Sequence, residues 1–318
     1  MTTPDRRLSL DQWRNLRFSP PAAAPLIEPT LPATRVSHPA VLGPDQSPDR
    51  QWHLWAHSQL GIDHYTAPDG LRWQRRELVA AGVEEASVRR VGEGFVLAYA
   101  RPRLGALDLG AQSRSDLALR RSDNLLDWAP ASQALVPGLP WHREAGFGRR
   151  LGSPQLVPHG GRYRLVYTAG AVAAPGTGAR LARYVGMAEG DDLGLSFVAH
   201  PQPMVQPTAE DTWANLAVGP TRVFEALDGW VALSVAHALT REATLASAVR
   251  LLISDDGVSF SPSPWPLFVA DGAPWRDGRL GGIDAVVVAD ALHLYFSVEG
   301  RARLVRETIG RVSAQLPG

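Results

Sequence analysis

Residues 153–170, SPQLVPHGGRYRLVYTAG, predict two short β-strands joined by a tight turn. The pair Gly160-Gly161 separates two runs that contain mostly β-branched, aromatic and other apolar residues. Two such runs on either side of a glycine turn are typical of a β-hairpin. This hairpin decides the fold, because its pattern recurs along the chain.

The second strand of the hairpin recurs as an apolar run with aromatic or small residues near its end. Its copies are QWHLWAHS (51–58), GFVLAYARP (94–102), RYRLVYTAG (162–170), GWVALSVAH (229–237) and LHLYFSVEG (292–300). Each follows a shorter strand, namely SHPAVL (37–42), EASVRRV (85–91), SPQLVP (153–158), GPTRVF (219–224) and IDAVVVA (283–289). The sequence therefore predicts five hairpins.

Four of the hairpins are followed by a third element that ends in an acidic turn and an aromatic residue. These elements are YTAPDGLRW (65–73), RRSDNLLDW (120–128), GMAEGDDLGLSF (186–197) and LISDDGVSF (252–260). The unit recurs every 45–70 residues or so, roughly the period of propeller blades. We therefore predict an all-β, five-bladed β-propeller of four-stranded antiparallel blades. A two-sheet sandwich with coincidental repeats is the alternative.

Composition indicates an ordinary globular protein with a neutral partner. The 318 residues are 45% hydrophobic and 20% charged, with zero net charge. Such a chain has no long-range field to attract nucleic acid or an anionic membrane, so we predict neither as a partner. The absence of cysteine rules out disulfides, thiolate zinc sites and cysteine nucleophiles. A small carbohydrate or other neutral polar ligand fits this composition, whereas the oligomeric state stays open.

The first 34 residues differ in composition from the repeats. The tract 20–32 is rich in Pro and Ala, which predicts an extended arm over residues 1–34 before a single propeller domain over 35–318. Because the fifth repeat lacks an acidic turn with an aromatic, the arm could supply a closing strand. No signal-peptide pattern or run of about 18 apolar residues occurs, so we expect a cytoplasmic protein.

The order of these motifs resembles the five-bladed propeller glycoside hydrolases. The patterns x-Pro-small-Val, Tyr-x-Leu-x-Tyr-Thr and Ser-x-Asp-Gly-x-x-Trp resemble arabinanases, β-xylosidases and arabinofuranosidases, and more distantly invertases and levansucrases. The likeness spans roughly residues 35–312 and implies a carbohydrate-active protein that cleaves furanosides or xylosides in a central funnel. It also implies that a structural calcium on the propeller axis is possible, although no cofactor is required.

The resemblance also implies positions for three catalytic carboxylates, and this sequence departs from all three. The family's first-blade Asp falls on His38, its third-blade Asp on Ser153 and its fourth-blade Glu on Val218. Glycoside hydrolysis needs a proton donor and a carboxylate, which these three side chains do not supply. We therefore expect either a non-hydrolytic relative or a relocated set of acids.

Carboxylates at the same position of other repeats are candidates for a relocated set. Glu85 in the second repeat and Asp284 in the fifth flank His38 in the first, and a carboxylate beside an imidazole makes an acid–base pair near neutral pH. We predict these three as catalytic. The alternatives are that Glu85 is solvated beside Glu84, and that Asp284 accepts backbone N–H bonds as a strand cap.

Polar residues at strand ends are candidates for substrate binding. This predicted set is His57, Arg101, Ser153, Thr168, Trp213 and His237. Polar groups at the ends of apolar strands orient polar ligands, but such strand ends also emerge into solvent without binding anything. Trp213 could stack on a sugar or pack between blades. The histidines are not paired at metal-ligand spacing, so we predict no metal site among them.

Three functions remain open on the sequence. The first is a glycoside hydrolase acting on furanosides or xylosides with a non-standard acid–base set. The second is a sugar-binding or regulatory propeller without catalysis. The third is a propeller enzyme of unrelated lyase or cyclase chemistry that uses His38 and Arg101.

Overall fold

The computed structural model describes residues 7–30, 32–103, 114–144, 148–175, 180–194, 196–269, 275, 278–300 and 307–316. Residues 1–6 and 31 of the predicted arm lie outside this set. All the predicted hairpins are present, and the described strands form five larger sheets and two short ribbons.

The first three sheets follow one another along the chain. The first contains β1 (Val36–Leu42), β2 (Trp52–Ser58), β3 (Gly61–Ala67) and β4 (Gln74–Ala81), in that order. The second contains β5 (Glu84–Val91), β6 (Gly94–Arg103), β7 (Arg114–Ser122) and β8 (Ser132–Leu135). A ribbon of β9 (Arg143–Glu144) and β10 (Gly148–Arg149) precedes the third sheet. That sheet contains β11 (Leu151–His159), β12 (Arg162–Ala169), β15 (Tyr184–Gly190) and β16 (Val198–Ala199), with β13 (Val172–Ala173) and β14 (Arg180–Leu181) as a separate ribbon.

The fourth and fifth sheets continue the pattern. The fourth contains β17 (Ala217–Ala226), β18 (Gly229–Leu239), β19 (Leu245–Ser254) and β20 (Ser261–Val269). The fifth contains β21 (Gly278–Val288), β22 (Ala291–Gly300) and β23 (Glu307–Gln315). Each sheet is an up-and-down antiparallel blade, and the predicted five-bladed β-propeller is confirmed as the fold class.

The N-terminal arm adds to the fifth sheet. Ile27 makes an antiparallel bridge to Ile309 of β23, with hydrogen bonds in both directions of 3.1 and 3.0 Å. Arg35 makes a parallel bridge to Glu307 at the start of the same strand. The arm therefore covers part of an edge that β23 would otherwise leave open.

The chain divides into two compact units. The first unit comprises Met1–Ala81, Arg222–Val235 and Ser247–Gly318, and the second comprises Gly82–Thr221 and Ala236–Ala246. The first and fifth sheets belong to the first unit, and the second and third sheets belong to the second unit. In the second unit, the core lies where the second and third sheets bury Leu117, Leu165 and Tyr167 completely.

A short N-terminal helix completes the core of the first unit. Helix α1 (Leu10–Arg14) begins with a capping box in which Ser9 and Gln12 exchange hydrogen bonds. Its Trp13 is buried and stacks on Phe224 of β17 at 5.7 Å between ring centroids. The sequence analysis did not predict this helix, although Ser-x-x-Gln before an apolar run is its signature.

The acidic turns that connect the third and fourth strands are stabilised by side-chain hydrogen bonds within the turn. The Oδ1 atom of Asp256 accepts from the backbone N–H groups of Val258 and Ser259, at 2.7 and 2.8 Å. Asp69 does the same for the residues after Gly70, and Gly70 adopts φ +66°. A carboxylate that accepts backbone N–H bonds two and three residues ahead builds an Asx turn. This local chemistry explains why the acidic turns recur.

Candidate functional site

The first strand of four sheets is bulged at equivalent places near its start. The irregularities lie at 37–40 in β1, 84–87 in β5, 152–155 in β11 and 280–283 in β21. Three bulges contain a non-glycine residue in the left-handed region, namely His38 (φ 49°), Glu85 (φ 53°) and Ser153 (φ 43°). Such residues cost about 1–3 kcal/mol each and are concentrated at functional sites. The three candidates therefore share a strained local backbone.

In the second unit, the carboxyl group of Glu85 accepts hydrogen bonds from Arg150 and Ser153. Its Oε1 accepts from Nη2 of Arg150 at 2.9 Å, and its Oε2 accepts from both N–H and Oγ of Ser153 at 2.8 Å each. The charge of Glu85 raises the pKa of the Arg150 guanidinium. A cation and two hydrogen bonds stabilise the charged form of a carboxyl group. The side chain is 11% exposed, so the predicted solvated Glu84–Glu85 run is wrong for Glu85.

Gly152 lets Glu85 approach the third sheet closely. A Cβ atom at Gly152 would lie 2.3 Å from Oε2 of Glu85 and 3.0 Å from Oγ1 of Thr168. Thr168 is the cross-strand partner of Gly152 in β12 and is buried. The bulge therefore brings three predicted residues, Glu85, Ser153 and Thr168, together around one glycine.

Arg101 also lies in the second unit, where it takes part in an ion pair. Its Nε and Nη2 each bind an oxygen of the buried Asp116 at 3.0 Å, and Nε of Arg103 binds the same carboxylate at 2.7 Å. Burial alone would raise the pKa of Asp116, but the hydrogen bonds from Arg101 and Arg103 lower it below its usual value. A two-armed contact of this kind fixes the guanidinium in place.

The remaining candidates of the second unit are His237 and Trp213. His237 is 3% exposed, and its carbonyl accepts from the N–H of Leu216 at 3.1 Å. Trp213 is half-buried in a turn where Oδ1 of Asp211 accepts from its backbone N–H at 2.9 Å. Their predicted role in substrate binding stays a prediction.

In the first unit, the bulge of β1 places His38 beside His57. The two rings have centroids 6.2 Å apart and are tilted by 58°. Oγ of Ser297 accepts from the N–H groups of His38 and Gly282, at 3.3 and 2.7 Å. A Cβ atom at Gly282 would lie 2.5 Å from Cα of His38, so only glycine permits this approach. His38 is half-buried and His57 is 7% exposed.

Asp284 lies in the first unit and is 1% exposed. Its Oδ2 accepts from the N–H of Val41 in β1 at 2.8 Å, and Oδ1 accepts from the N–H of Ala285 at 3.0 Å. Nε of the buried Arg222 in β17 lies 3.5 Å from Oδ1. These contacts join three strands, as the strand-cap alternative supposed, and the catalytic role stays a prediction.

Sequence reasoning missed a buried histidine lock in the second unit. Nδ1 of His142 accepts from the N–H groups of Gly138 and Leu139 at 3.1 and 3.3 Å. Its Nε2 lies 3.0 Å from the hydroxyl of Tyr167. Because Nδ1 accepts hydrogen bonds, Nε2 carries the proton of the neutral ring, and this N–H donates a hydrogen bond to the hydroxyl of Tyr167. His142 follows Pro140 in a short 3₁₀ turn, and no feature of the local sequence predicts its partner.

Two buried histidines, His64 and His142, and the half-buried His293 predict acid sensitivity. Burial lowers the pKa of His64 to about 3 and those of His142 and His293 to about 4. The unfolded chain takes up these protons near pH 6.5, so their contribution to stability is complete above that pH and is lost as the pH falls towards 4. We expect unfolding to be easier at pH 5 than at pH 7, by roughly 2 kcal/mol for each fully buried histidine.

Urea unfolding at the two pH values measures this difference. The variant His142→Gln removes one of the three titrating groups, so its loss of stability between pH 7 and pH 5 should be smaller than that of the unaltered protein. Equal free energies of unfolding at both pH values would contradict the expectation.

The described residues contain neither a cluster of metal ligands nor a helix that could span a membrane. Among them, no group of three or more His, Cys, Asp or Glu side chains is arranged to hold a metal ion. No helix in the described parts of the chain has both the length and the apolar character needed to cross a membrane.

These sheets and their bulged strands define a five-bladed propeller, a fold that this chain shares with solved glycoside hydrolases. Similar solved structures include a glycosyl hydrolase from Bacteroides ovatus, with 14% identity over 96% of each chain and a TM-score of 0.66. An N-acetylgalactosamine deacetylase from F. plautii, solved with blood group B trisaccharide, has 13% identity over 94% of this chain and 95% of its own, with a TM-score of 0.63. A family 117 glycoside hydrolase from Zobellia galactanivorans has 14% identity over 94% and 90%, with a TM-score of 0.58.

At these identities the similarity establishes the fold alone. No family profile matches the sequence, and no curated protein matches it.

Proposed function

We propose that this protein is a carbohydrate-active propeller that hydrolyses glycosides, with furanosides or xylosides as its substrates. The observation that carries the proposal is the geometry of Glu85. Its carboxyl group lies in a strained bulge at the start of a blade's first strand, where it accepts hydrogen bonds from Arg150 and, twice, from Ser153. Hydrolysis of a glycosidic bond uses such a carboxylate as nucleophile or as base towards water, and it requires no cofactor.

The neighbours of Glu85 suit a polar ligand. Thr168 supplies a hydroxyl beside the same glycine, and the carboxylate of Glu85 raises the pKa of the Arg150 guanidinium that binds it. Ser153 stands where the resembled family carries an Asp, and here its side chain donates to Glu85 instead. We assign Glu85 the nucleophile or base role and Ser153 and Arg150 the role of positioning it.

His38 is proposed as a second ligand-contacting group, in the first unit. Its imidazole is half-buried beside that of His57, and its backbone is in the left-handed region, as it is at Glu85 and Ser153 in the equivalent bulges. A histidine gives up or takes a proton near neutral pH, as acid–base chemistry requires. The variant His38→Gln tests this assignment separately from the tests on Glu85.

A specific observation supports a second candidate, a sugar-binding propeller without catalysis. Both oxygens of Glu85 already have partners, and the neighbouring carboxylate of Glu84 binds the same Arg150 at 3.0 Å. In a glycoside hydrolase, the acid and the nucleophile flank the scissile bond from two sides. Here the two neighbouring carboxylates, Glu84 and Glu85, instead bind one arginine. In this case the site orients a sugar by hydrogen bonds alone.

One experiment separates the two candidates. Purified protein is incubated with nitrophenyl arabinofuranosides, xylosides, fructosides and galactosides, and titrated with the corresponding free sugars by calorimetry. Release of nitrophenol supports the hydrolase, and binding without release supports the sugar-binding protein. If none of these sugars is bound and none of the glycosides is hydrolysed, both candidates are wrong.

Replacing Gly152 with alanine should impair the proposed activity. The new Cβ would meet Oε2 of Glu85 at 2.3 Å, so the carboxylate must move. A misplacement of about 1 Å costs on the order of 100-fold in rate, and we expect a loss of that size in kcat/KM. Gly138→Ala is the matched control, because its Cβ would meet nothing within 4 Å. Equal activity of the two variants would argue against Glu85 as the reacting carboxylate.

A further inference from the structure

Trp265 is an exposed indole on the outermost strand of the fourth sheet. It is 75% exposed and belongs to β20. Among the large apolar side chains that are exposed in the described residues, it is the one aromatic, and the others are Leu and Val. Single exposed apolar residues are common on protein surfaces, so exposure alone does not make Trp265 a binding residue.

The backbone around Trp265 is built to project it. Arg250 pairs with Pro266 and Leu252 pairs with Pro262, so residues 263–265 bulge out opposite the single residue Leu251. Arg250 is 6% exposed, and its Nη2 donates to the carbonyl of Ser263 at 2.9 Å. A buried guanidinium thus fixes the bulge from beneath, and the position of Trp265 is an ordered feature of the strand.

Edge protection explains the prolines of this strand but not the tryptophan. Pro262, Pro264 and Pro266 cannot donate backbone hydrogen bonds, so together with the bulge they prevent another strand from pairing here. A charged side chain would serve the same purpose at position 265 at no cost in exposed apolar area. The indole therefore needs a separate explanation.

A polar groove borders the residues that precede Trp265. Its volume is about 520 Å³, within the range of small-ligand sites. The polar side chains lining it are those of Arg14, Ser254, Asp255, Ser259, Ser261 and Ser263. The one cation and the one anion balance, and four hydroxyl groups accompany them. Serine and aspartate are depleted in the cores of protein–protein interfaces, which argues against a protein partner.

We propose that Trp265 and this groove form a surface site for a neutral sugar chain. The flat face of the indole stacks on a sugar ring, and Asp255, Arg14 and the hydroxyls of Ser259, Ser261 and Ser263 bind the hydroxyls of the adjoining sugar. The choice of ligand class rests on the proposed function. The site itself uses none of the residues placed in the candidate site, so it would bind a polymer without using Glu85 or His38.

Affinity electrophoresis tests the site. Native gels containing soluble arabinoxylan or linear arabinan slow a protein that binds the polymer, relative to a non-binding reference protein. We expect Trp265→Ala to weaken the apparent affinity about tenfold, and Trp265→Phe to retain most of it. Leu60→Ala is the matched control, because Leu60 is 65% exposed in the same unit but far along the chain from the groove.

The outcomes distinguish this site from the proposed catalytic one. Slowing that is lost in Trp265→Ala but kept in Leu60→Ala and in Glu85→Gln supports the surface site, whether or not any glycoside is hydrolysed. Equal slowing of the unaltered protein and Trp265→Ala would overturn it. The proposal would also be overturned if neither polymer slows the unaltered protein.

Discussion

The variant Asp284→Ala is expected to lose about 3–5 kcal/mol of unfolding free energy. The carboxylate is buried, accepts backbone N–H bonds from β1 and its own strand, and lies 3.5 Å from the guanidinium of the buried Arg222. Removing it deletes one member of a buried ion pair and leaves the N–H of Val41 without this acceptor. Both effects cost more than a surface substitution does.

Urea unfolding at pH 7 measures this loss. Asp45→Ala is the control in the same unit, since Asp45 is exposed and its removal should change the free energy of unfolding by no more than about 0.5 kcal/mol. The variant Asp284→Asn tests the catalytic prediction. If it unfolds like the unaltered protein but has lost glycoside turnover, Asp284 acts on a substrate and the structural role proposed for it is wrong.

The variant Glu85→Gln should lose most of the proposed glycosidase activity, with a fall in kcat of roughly 10²–10⁴-fold. The amide can still accept from Ser153, but it cannot attack an anomeric carbon or take a proton from water at neutral pH. The substitution therefore separates the chemistry of the carboxylate from its packing over Gly152. Initial rates on the most reactive nitrophenyl glycoside give the comparison.

Glu84→Gln is a closely matched control for Glu85→Gln. It changes the adjacent residue in the same way and weakens a contact to the same Arg150, so loss of charge around this arginine is common to both variants. Full activity in Glu84→Gln with loss in Glu85→Gln supports the assignment. Unchanged turnover in Glu85→Gln would show that another group performs the chemistry, and unchanged sugar binding without turnover in any variant would favour the binding protein.

Local sequence patterns predicted the blades because their causes are local. Alternating apolar runs, the Gly160-Gly161 turn and the acidic turns each act over a few residues, and the structure places hairpins at all five predicted pairs. His38, Glu85 and Ser153 were predicted as equivalent positions of their repeats. Each of them lies in the bulge of its own strand and has a left-handed backbone conformation. The capping box of α1 is also a local pattern, formed by Ser9 and Gln12, from which the helix could have been predicted.

Side-chain partners were not predictable, because they join residues that are distant along the chain. Glu85 meets Arg150 and Ser153 across 65 and 68 residues, and Asp284 meets Val41 across 243. The sequence predicted Glu85 and Asp284 as catalytic and offered a solvated Glu85 as the alternative. It did not indicate that Asp284 is buried or that Glu85 is tied to Arg150.

The repeating local patterns of the chain were enough to predict the strands, their pairing into hairpins and the number of blades. Each pattern acts over a few residues, so it can be recognised without knowledge of distant contacts. Which charged groups are paired and which are buried became apparent only from the folded chain, where distant strands meet. The protonation and exposure of a carboxylate depend on the charges and hydrogen bonds that folding brings to it from other strands, and no local pattern records them.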